Sequence, residues 1–416
     1  MKQALSLLLA AVLGLGLPSG CSQASAAREL TASKLSASPS ESAEVNSALS
    51  NFGLELLQRS READKASTLI SPLSVALALS MTANGAEGET LAQFQKVLGG
   101  GVDLVELNGA CVQLTRDYQS LGGSTKCSIA NSLWLDPDGQ IKDEFVGKCL
   151  GVFDAQVFQG ELSAPGIVGG LNGWVSKHTN KLIPKIIDQP FPEETACLLV
   201  NALYLKNKWL SEFDPLSTSE MDFHHEDGSD SRVEYLQKFN TELSYLEGEG
   251  AQGAVLPYDD GRLAFFVLLP DLYPDSPEFG KWLSNLDGSG LTQLINNRED
   301  ALFLRFSMPK FEAEWRGNLE KILPLMGLED AFVNGVADFS SMGENPNGYY
   351  ISQVVHAAKI QVNEKGTEAA AATVVDAPAG AAPPPPEGIT LVLDRPFLYG
   401  IVDLYTGVPL FLGTYE

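Results

Sequence analysis

The chain has 416 residues, 44% of them hydrophobic, and a formal net charge of -25. It can bury a large core, and its acidic balance excludes nucleic acid, or an electrostatic footing on anionic lipid, as the basis of function. With four histidines and no G-x-S-x-G elbow, P-loop or H-E-x-x-H, it offers little to a hydrolase or metalloenzyme, so neither enzyme activity nor a cofactor is expected.

Residues 1–20 carry Lys2, an apolar run from Ala4 to Leu17 and Pro18-Ser19-Gly20, a secretory signal too short to span a bilayer. Small residues directly before Cys21 resemble a bacterial lipoprotein processing site, which implies lipidation of Cys21. Ala24-Ser25-Ala26 offers an ordinary cleavage site instead. Either way the protein is exported, to the cell envelope if anchored and otherwise secreted or periplasmic. Residues 21–45, rich in Ser and Ala, are expected to form a flexible tether, with the folded domain at 46–416.

Asn51 to Leu57 read as an amphipathic helix, and Ser71-Pro72-Leu73-Ser74 opens a second, with Ser at the cap and Pro at the first helical position. Leu73, Ala76, Leu77, Ser80 and Met81 recur at three and four, as in a buried helix. Ile129 to Leu135 is a strand and Asp143 to Phe153 a helix. Ala196 to Trp209 is a nearly continuous apolar strand interrupted by Asn201, as suits a sheet covered on both faces. Cys111, Cys127, Cys149 and Cys197 fit no zinc spacing. Disulfides and buried free thiols are both open. In Asp222-Phe223-His224-His225-Glu226-Asp227 adjacent histidines of a strand face opposite ways, which argues against a metal site. The C-terminal RPFLYGIVD and YTGVPLFLGTY form a buried hairpin.

Near the C-terminus, Val354, His356, Ala358, Ile360 and Val362 share one face of a strand that feeds Glu364 to Thr373, EKGTEAAAAT. Four alanines favour helix. Here they lie in a stretch whose alternation leaves Thr367, Ala369, Ala371, Thr373, Val375 and Ala377 on one uncharged face, and puts Glu368 and Asp376 on the other with Ala370, Ala372 and Val374. The segment sits where a loop is expected, yet it is patterned to sink one face into a core.

At Glu364, Gly366, Thr367, Glu368, Ala369, Ala370, Ala371, Ala372 and Thr373 the sequence resembles the hinge of the serpins, protease inhibitors whose reactive loop inserts into their own main sheet after cleavage. Further similarity lies in Thr68 to Phe94, in Asn172, Trp174, Val175 and Thr179 to Ile183, in Ala196 to Trp209, in Val255 to Tyr258 and Leu263 to Pro270, which resemble paired strands of a second sheet, and in Phe303 to Phe311, which resembles another strand pair, so that it covers about residues 46–416. The resemblance implies an α+β fold of three β-sheets with about eight or nine helices, in one metastable domain with an exposed reactive-centre loop at about 364–394. It also implies a monomer that inhibits a serine or cysteine protease by suicide. The protease cuts the loop, becomes acylated, and is dragged as the hinge inserts. The family pattern further assigns Asn201 and His356 to a polar cluster that holds the sheet shut, Ser71 and Ser74 to control of how the sheet opens, Trp209 to the point of loop entry, and Lys310 to the partner of Glu364. A non-inhibitory carrier of the same fold would show bulky or charged hinge residues, and none is present.

Counting forward from Gly366 by the family spacing places the scissile region at Ala379, Gly380, Ala381 and Ala382. Counting back from Arg395-Pro396-Phe397 gives Pro385 instead. Pro383 to Pro386 are poor protease substrates, which favours the forward count. Between Lys365 and Arg395 there is no Lys, Arg or aromatic residue, so elastase-like or subtilisin-like targets are expected rather than trypsin-like ones.

Overall fold

A computed structural model describes residues 27–64, 67–271, 278–367 and 388–416. Its main element is a seven-stranded sheet. Numbered along the chain, its strands run in the order β1 (Ala27–Glu29), β5 (Gln156–Gly160), β3 (Lys126–Leu135), β6 (Cys197–Lys208), β15 (Gly366–Thr367), β14 (Gln353–Asn363) and β12 (Phe311–Asn318). A nine-stranded sheet follows the order β16 (Ile389–Val392), β11 (Glu299–Pro309), β8 (Asp230–Gly248), β9 (Ala251–Pro257), β10 (Leu263–Pro270), β17 (Phe397–Asp403), β18 (Pro409–Tyr415) and β2 (Leu69–Ile70), with β7 (Ser219–His224) beside β8. A small third sheet pairs β4 (Gln140–Ile141) with β13 (Gly343–Glu344).

Eight α-helices complete the described residues: α1 (Ala43–Asp64), α2 (Pro72–Ala83), α3 (Gly88–Gly99), α4 (Leu104–Gln119), α5 (Asp143–Val152), α6 (Gly166–His178), α7 (Phe279–Asn285) and α8 (Gly288–Asn296). The α+β architecture expected from the sequence, with three sheets and eight or nine helices, is thus present. α2 is apolar all round, and every one of its residues is buried beneath the inner face of the large sheet. α6 covers the outer face, where Trp174 and Leu171 pack with Leu198, Val200 and Ala202 of β6 and with Val355 and Ala357 of β14. Both faces of β6 are therefore dry in mid-strand, which explains its unbroken apolar run.

Three expectations are corrected. Residues 27–42 are not a free tether. Leu30 N–H donates to Val157 O at 2.7 Å, Leu35 to Gly147 O at 2.9 Å and Ser40 to Gly109 O at 3.1 Å. Gly147 and Gly151 of α5 admit this strap because a Cβ on either would collide with the backbone of Ser33 or Leu35. Second, Ser71 does not cap α2 with its side chain. Its hydroxyl donates to Leu410 O at 2.8 Å and so ties the helix start to β18. Third, β11 and β12 do not pair with each other: the chain crosses at Lys310 from the nine-stranded to the seven-stranded sheet. Of the two readings left open for the cysteines, the four described thiols are free, and burial pushes Cys111 up to about 12.

Candidate functional site

The site is a cleft in the seven-stranded sheet between two parallel strands. At one end β6 and β14 are direct neighbours, with Leu198 opposite Gln353 and Asn201 opposite His356. At the other end β15 lies between them, antiparallel to both: Gly366 is opposite Lys208 and Asn363, and Thr367 is opposite Asn207 and Val362. The strands therefore splay by one strand width toward the end where the chain leaves β14 and turns back. Gly366 makes the reversal with φ of +147°, and a Cβ there would strike the backbone of Asn207.

At this entry Trp209 donates its ring N–H to Asn363 O at 2.8 Å and its backbone N–H to Lys365 O at 3.0 Å. Its indole stacks on Tyr258, with centroids 5.0 Å apart and planes 5° from parallel. The Tyr258 hydroxyl in turn lies 2.5 Å from Thr367 Oγ1. Thr367 is buried on the inward face that the alternation assigned to it. Glu364 accepts from Lys310 Nζ and Thr218 Oγ1, each at 3.0 Å, and its carbonyl accepts from Phe213 N at 2.8 Å. The Phe213 turn is held by Lys238, whose Nζ donates to Ser211 O at 2.9 Å and Glu212 O at 2.8 Å and sits 4.6 Å from the centroid of the Phe213 ring. Burial lowers that amine to about 8.

Where the strands meet lies a second polar cluster in otherwise apolar core. His356 is fully buried. Its Nε2 accepts Ser71 N–H at 3.1 Å, which leaves Nδ1 to donate to Asn201 Oδ1 at 3.0 Å. Asn201 donates to Ser74 Oγ. One imidazole thus bonds both strands of the cleft and the start of α2, and it does so only when neutral. Burial depresses it to about 3. Beside it, Asn131 of β3 lies opposite Asn201, and its buried amide oxygen has no protein hydrogen-bond donor within reach.

The structure therefore gathers the residues singled out in the sequence into two clusters: Glu364, Gly366, Thr367, Trp209 and Lys310 at the entry, and Ser71, Ser74, Asn201 and His356 in mid-sheet. Glu368, Ala369, Ala370, Ala371, Ala372 and Thr373 lie outside the described residues, as do Ala379, Gly380, Ala381, Ala382 and Cys21. Sequence reasoning missed Tyr258, Thr218, Phe213, Lys238 and Asn131. It also missed a latch beside the entry, where Asp260 accepts from Asn207 Nδ2, Thr125 Oγ1 and the backbone N–H groups of Arg262 and Leu263. The Asn-Asp pairing is tertiary and leaves no local pattern.

Comparison with known proteins places this arrangement. A family model described as serpin (serine protease inhibitor) matches residues 47–416. The chain is 31% identical over 375 residues to putative serpin-Z5 of Oryza sativa subsp. japonica, covering 83% of each protein. It is 30% identical to plasminogen activator inhibitor 1 of Neovison vison, covering 87% of this chain and 90% of that one. Among solved structures, the native state of the thermophilic serpin tengpin superposes with a TM-score of 0.83 at 33% identity, covering 92% of this chain and 97% of that one. Its latent state gives 0.76 at 30% identity, covering 91% and 98%. A family model spanning most of the chain, relatives above 30% identity and a matching fold together mean that this chain belongs to the serpin family.

Proposed function

We propose that the chain is a suicide inhibitor of serine or cysteine endopeptidases of elastase-like or subtilisin-like specificity, working as an exported monomer lipidated at Cys21. The observation that carries this reading is the register of β15. Two hinge residues already occupy the cleft, and each further step in the same register sets the next residue opposite a defined pair on β6 and β14. Ala369 would meet Leu205 and Ile360, Ala371 would meet Leu203 and Ala358, and Thr373 would arrive between Asn201 and His356. The inward residues are small wherever their neighbours are apolar core. The first hydroxyl after Thr367 falls on the mid-sheet polar cluster, where it can replace the Asn201–His356 bond that insertion must break.

In this mechanism the nucleophile of the protease attacks a loop carbonyl and the peptide bond breaks. The new amine stays with the segment that leads to β16, while the acylated hinge zips into the cleft. The chain supplies no catalytic group. It supplies ladder hydrogen bonds and burial that the uncleaved state lacks. The inhibitory name of the 30% identical plasminogen activator inhibitor 1 supports the same reading.

Incubation with an elastase-like protease tests it, and the expected product is a complex that survives SDS and boiling. Cleaved protein alone, across several protease classes, would favour a carrier. The intact mass of the released C-terminal peptide locates the bond, and a start before Pro378 or after Pro386 would overturn the assignment to Ala379–Ala382.

A further inference from the structure

β1 fixes where the N-terminal segment leaves the body. Ala27 pairs with Gly160 and Glu29 with Phe158 of β5. β5 runs parallel to β3, so that Gln159 lies beside Leu135, and Leu135 lies opposite Cys197 at the start of β6. Ala27 is therefore at the Cys197 pole of the large sheet, whereas the hinge enters at the Lys208 pole. The 12 residues of β6 separate the two poles by about 36 Å at about 3.3 Å per residue. Between Cys21 and Ala27 the chain can reach at most about 20 Å even when fully extended.

The Cys197 pole is ringed by exposed carboxylates, among them Asp138, Glu161, Glu193, Glu194 and Glu344. Short links hold their segments to that pole: Tyr350 Oη donates to Glu194 O at 3.0 Å, Phe191 N to Leu162 O at 3.2 Å, and Asp136 N to Ala196 O at 3.1 Å, while Glu344 lies opposite Gln140. Arg28 is the cation on β1, and it donates to Gln159. A tether this short keeps the pole near the headgroups, its carboxylates standing off as far as the tether allows, whereas a body lying flat would bring more of the net charge of -25 within about a Debye length of anionic lipid.

We propose that in the lipidated protein the Cys197 pole faces the bilayer and the body stands end-on, held by the short tether at that pole and kept from lying flat by its net negative charge, with the hinge pole turned outward. This rests on the anchored reading of Cys21. It adds an orientation: the loop meets proteases approaching from outside, and insertion carries a trapped protease toward the lipid side.

The test uses full-length lipidated protein in vesicles containing phosphatidylglycerol, with an acceptor dye on a fraction of the lipid headgroups. A donor dye is placed by Glu344→Cys or by Leu210→Cys, next to Trp209 at the hinge pole, in a Cys127→Ser background because the other described thiols are buried. The expected result is strong energy transfer from position 344 and much weaker transfer from 210. Equal transfer, or more from 210, with a diacylglycerol mass present on Cys21 overturns the orientation alone. Absence of that mass overturns the anchored reading and the orientation with it.

Discussion

Replacement of Thr367 by arginine separates insertion from protease recognition. In the structure Thr367 is 2% exposed, faces the Trp209–Tyr258 stack and bonds the Tyr258 hydroxyl. An arginine there must bring its guanidinium under the sheet. The carboxylate bonded to Asn207, which lies opposite position 367, is that of Asp260, already engaged by Asn207, Thr125 and two backbone N–H groups, which fill the acceptor sites of a carboxylate. The charge would be buried without a partner, at about 3 to 5 kcal/mol. In the intact variant the two residues of β15 can swing out of the cleft and escape that cost, whereas insertion cannot, so the step slows by about two to nearly four orders of magnitude. Deacylation then wins, and the variant is turned over as a substrate. Titration of a fixed amount of elastase-like protease should show the inhibitor needed per protease rising from near one to many, with cleaved product in place of the SDS-stable complex. Thr367→Ser should stay inhibitory. An arginine variant that melts like wild type and still inhibits one to one would refute the inward placement of position 367 and the mechanism built on it.

Three more outcomes follow from the same geometry. Thr373→Val keeps the shape of the side chain but removes the hydroxyl proposed to sit between Asn201 and His356, so loop-cleaved protein should lose about 1 to 3 kcal/mol while the intact form melts unchanged; equal loss in both would refute the register. For His356, a folded pKa of about 3 against an ordinary 6.5 means that the native state binds fewer protons than the unfolded chain between those values. Its contribution is complete above pH 6.5 and is lost as pH falls toward 3, by about 5 kcal/mol in total. The stability difference between wild type and His356→Gln in urea should therefore shrink steadily over that window, and a constant difference would refute a neutral, buried imidazole. Removing the Lys310 amine by Lys310→Met frees Glu364 from one of its two side-chain donors; the effect on melting should be small, about 1 kcal/mol or less, with faster spontaneous loss of inhibitory activity on warming, and an unchanged rate of loss would show that the pair does not restrain the hinge.

What could be read from the sequence follows from how local each signal is. The parity of Thr367 was legible because alternation along one strand survives any tertiary arrangement. The run in β6 showed that both its faces would be covered, and Asn201 stood out because it interrupts that run. The strap at 27–42 was not legible: its strand is three residues long and buries only Ala27, and the glycines that receive it lie more than a hundred residues away in α5. Tyr258 could be placed in a strand but not against Thr367, since their contact spans a separation of 109 residues. The crossing at Lys310 was missed because β11 and β12 are separated by one residue, as two strands of a hairpin would nearly be, although a single residue cannot close an ordinary two-residue turn.

The register also bears on which of the two counts of the scissile region the sheet favours. From Thr367 opposite Asn207, continued pairing uses β6 down to Cys197, and the residue reaching Cys197 is Ala377. Pro378 then falls opposite Ala196, beyond the strand, where its missing N–H removes nothing from the ladder. On the outer face Ala372 and Val374 would slip beneath α6 beside Ala202, Val200, Val355 and Ala357, a buried apolar cluster that suits small apolar side chains. Asp376 would arrive by Leu198 and Gln353 and has to turn out to water there, at a cost set against the gains above it. A cut near Gly380 leaves two or three residues between the end of the filled strand and the acylated carbonyl, so the protease is drawn hard against the pole of the sheet. A cut at Pro385 would leave about five residues more and a slack leash, and distortion of the protease active site depends on the leash being short. The stretch that can enter the sheet, the length of the strand that receives it and the position of the small residues beyond Pro378 therefore support the forward count together.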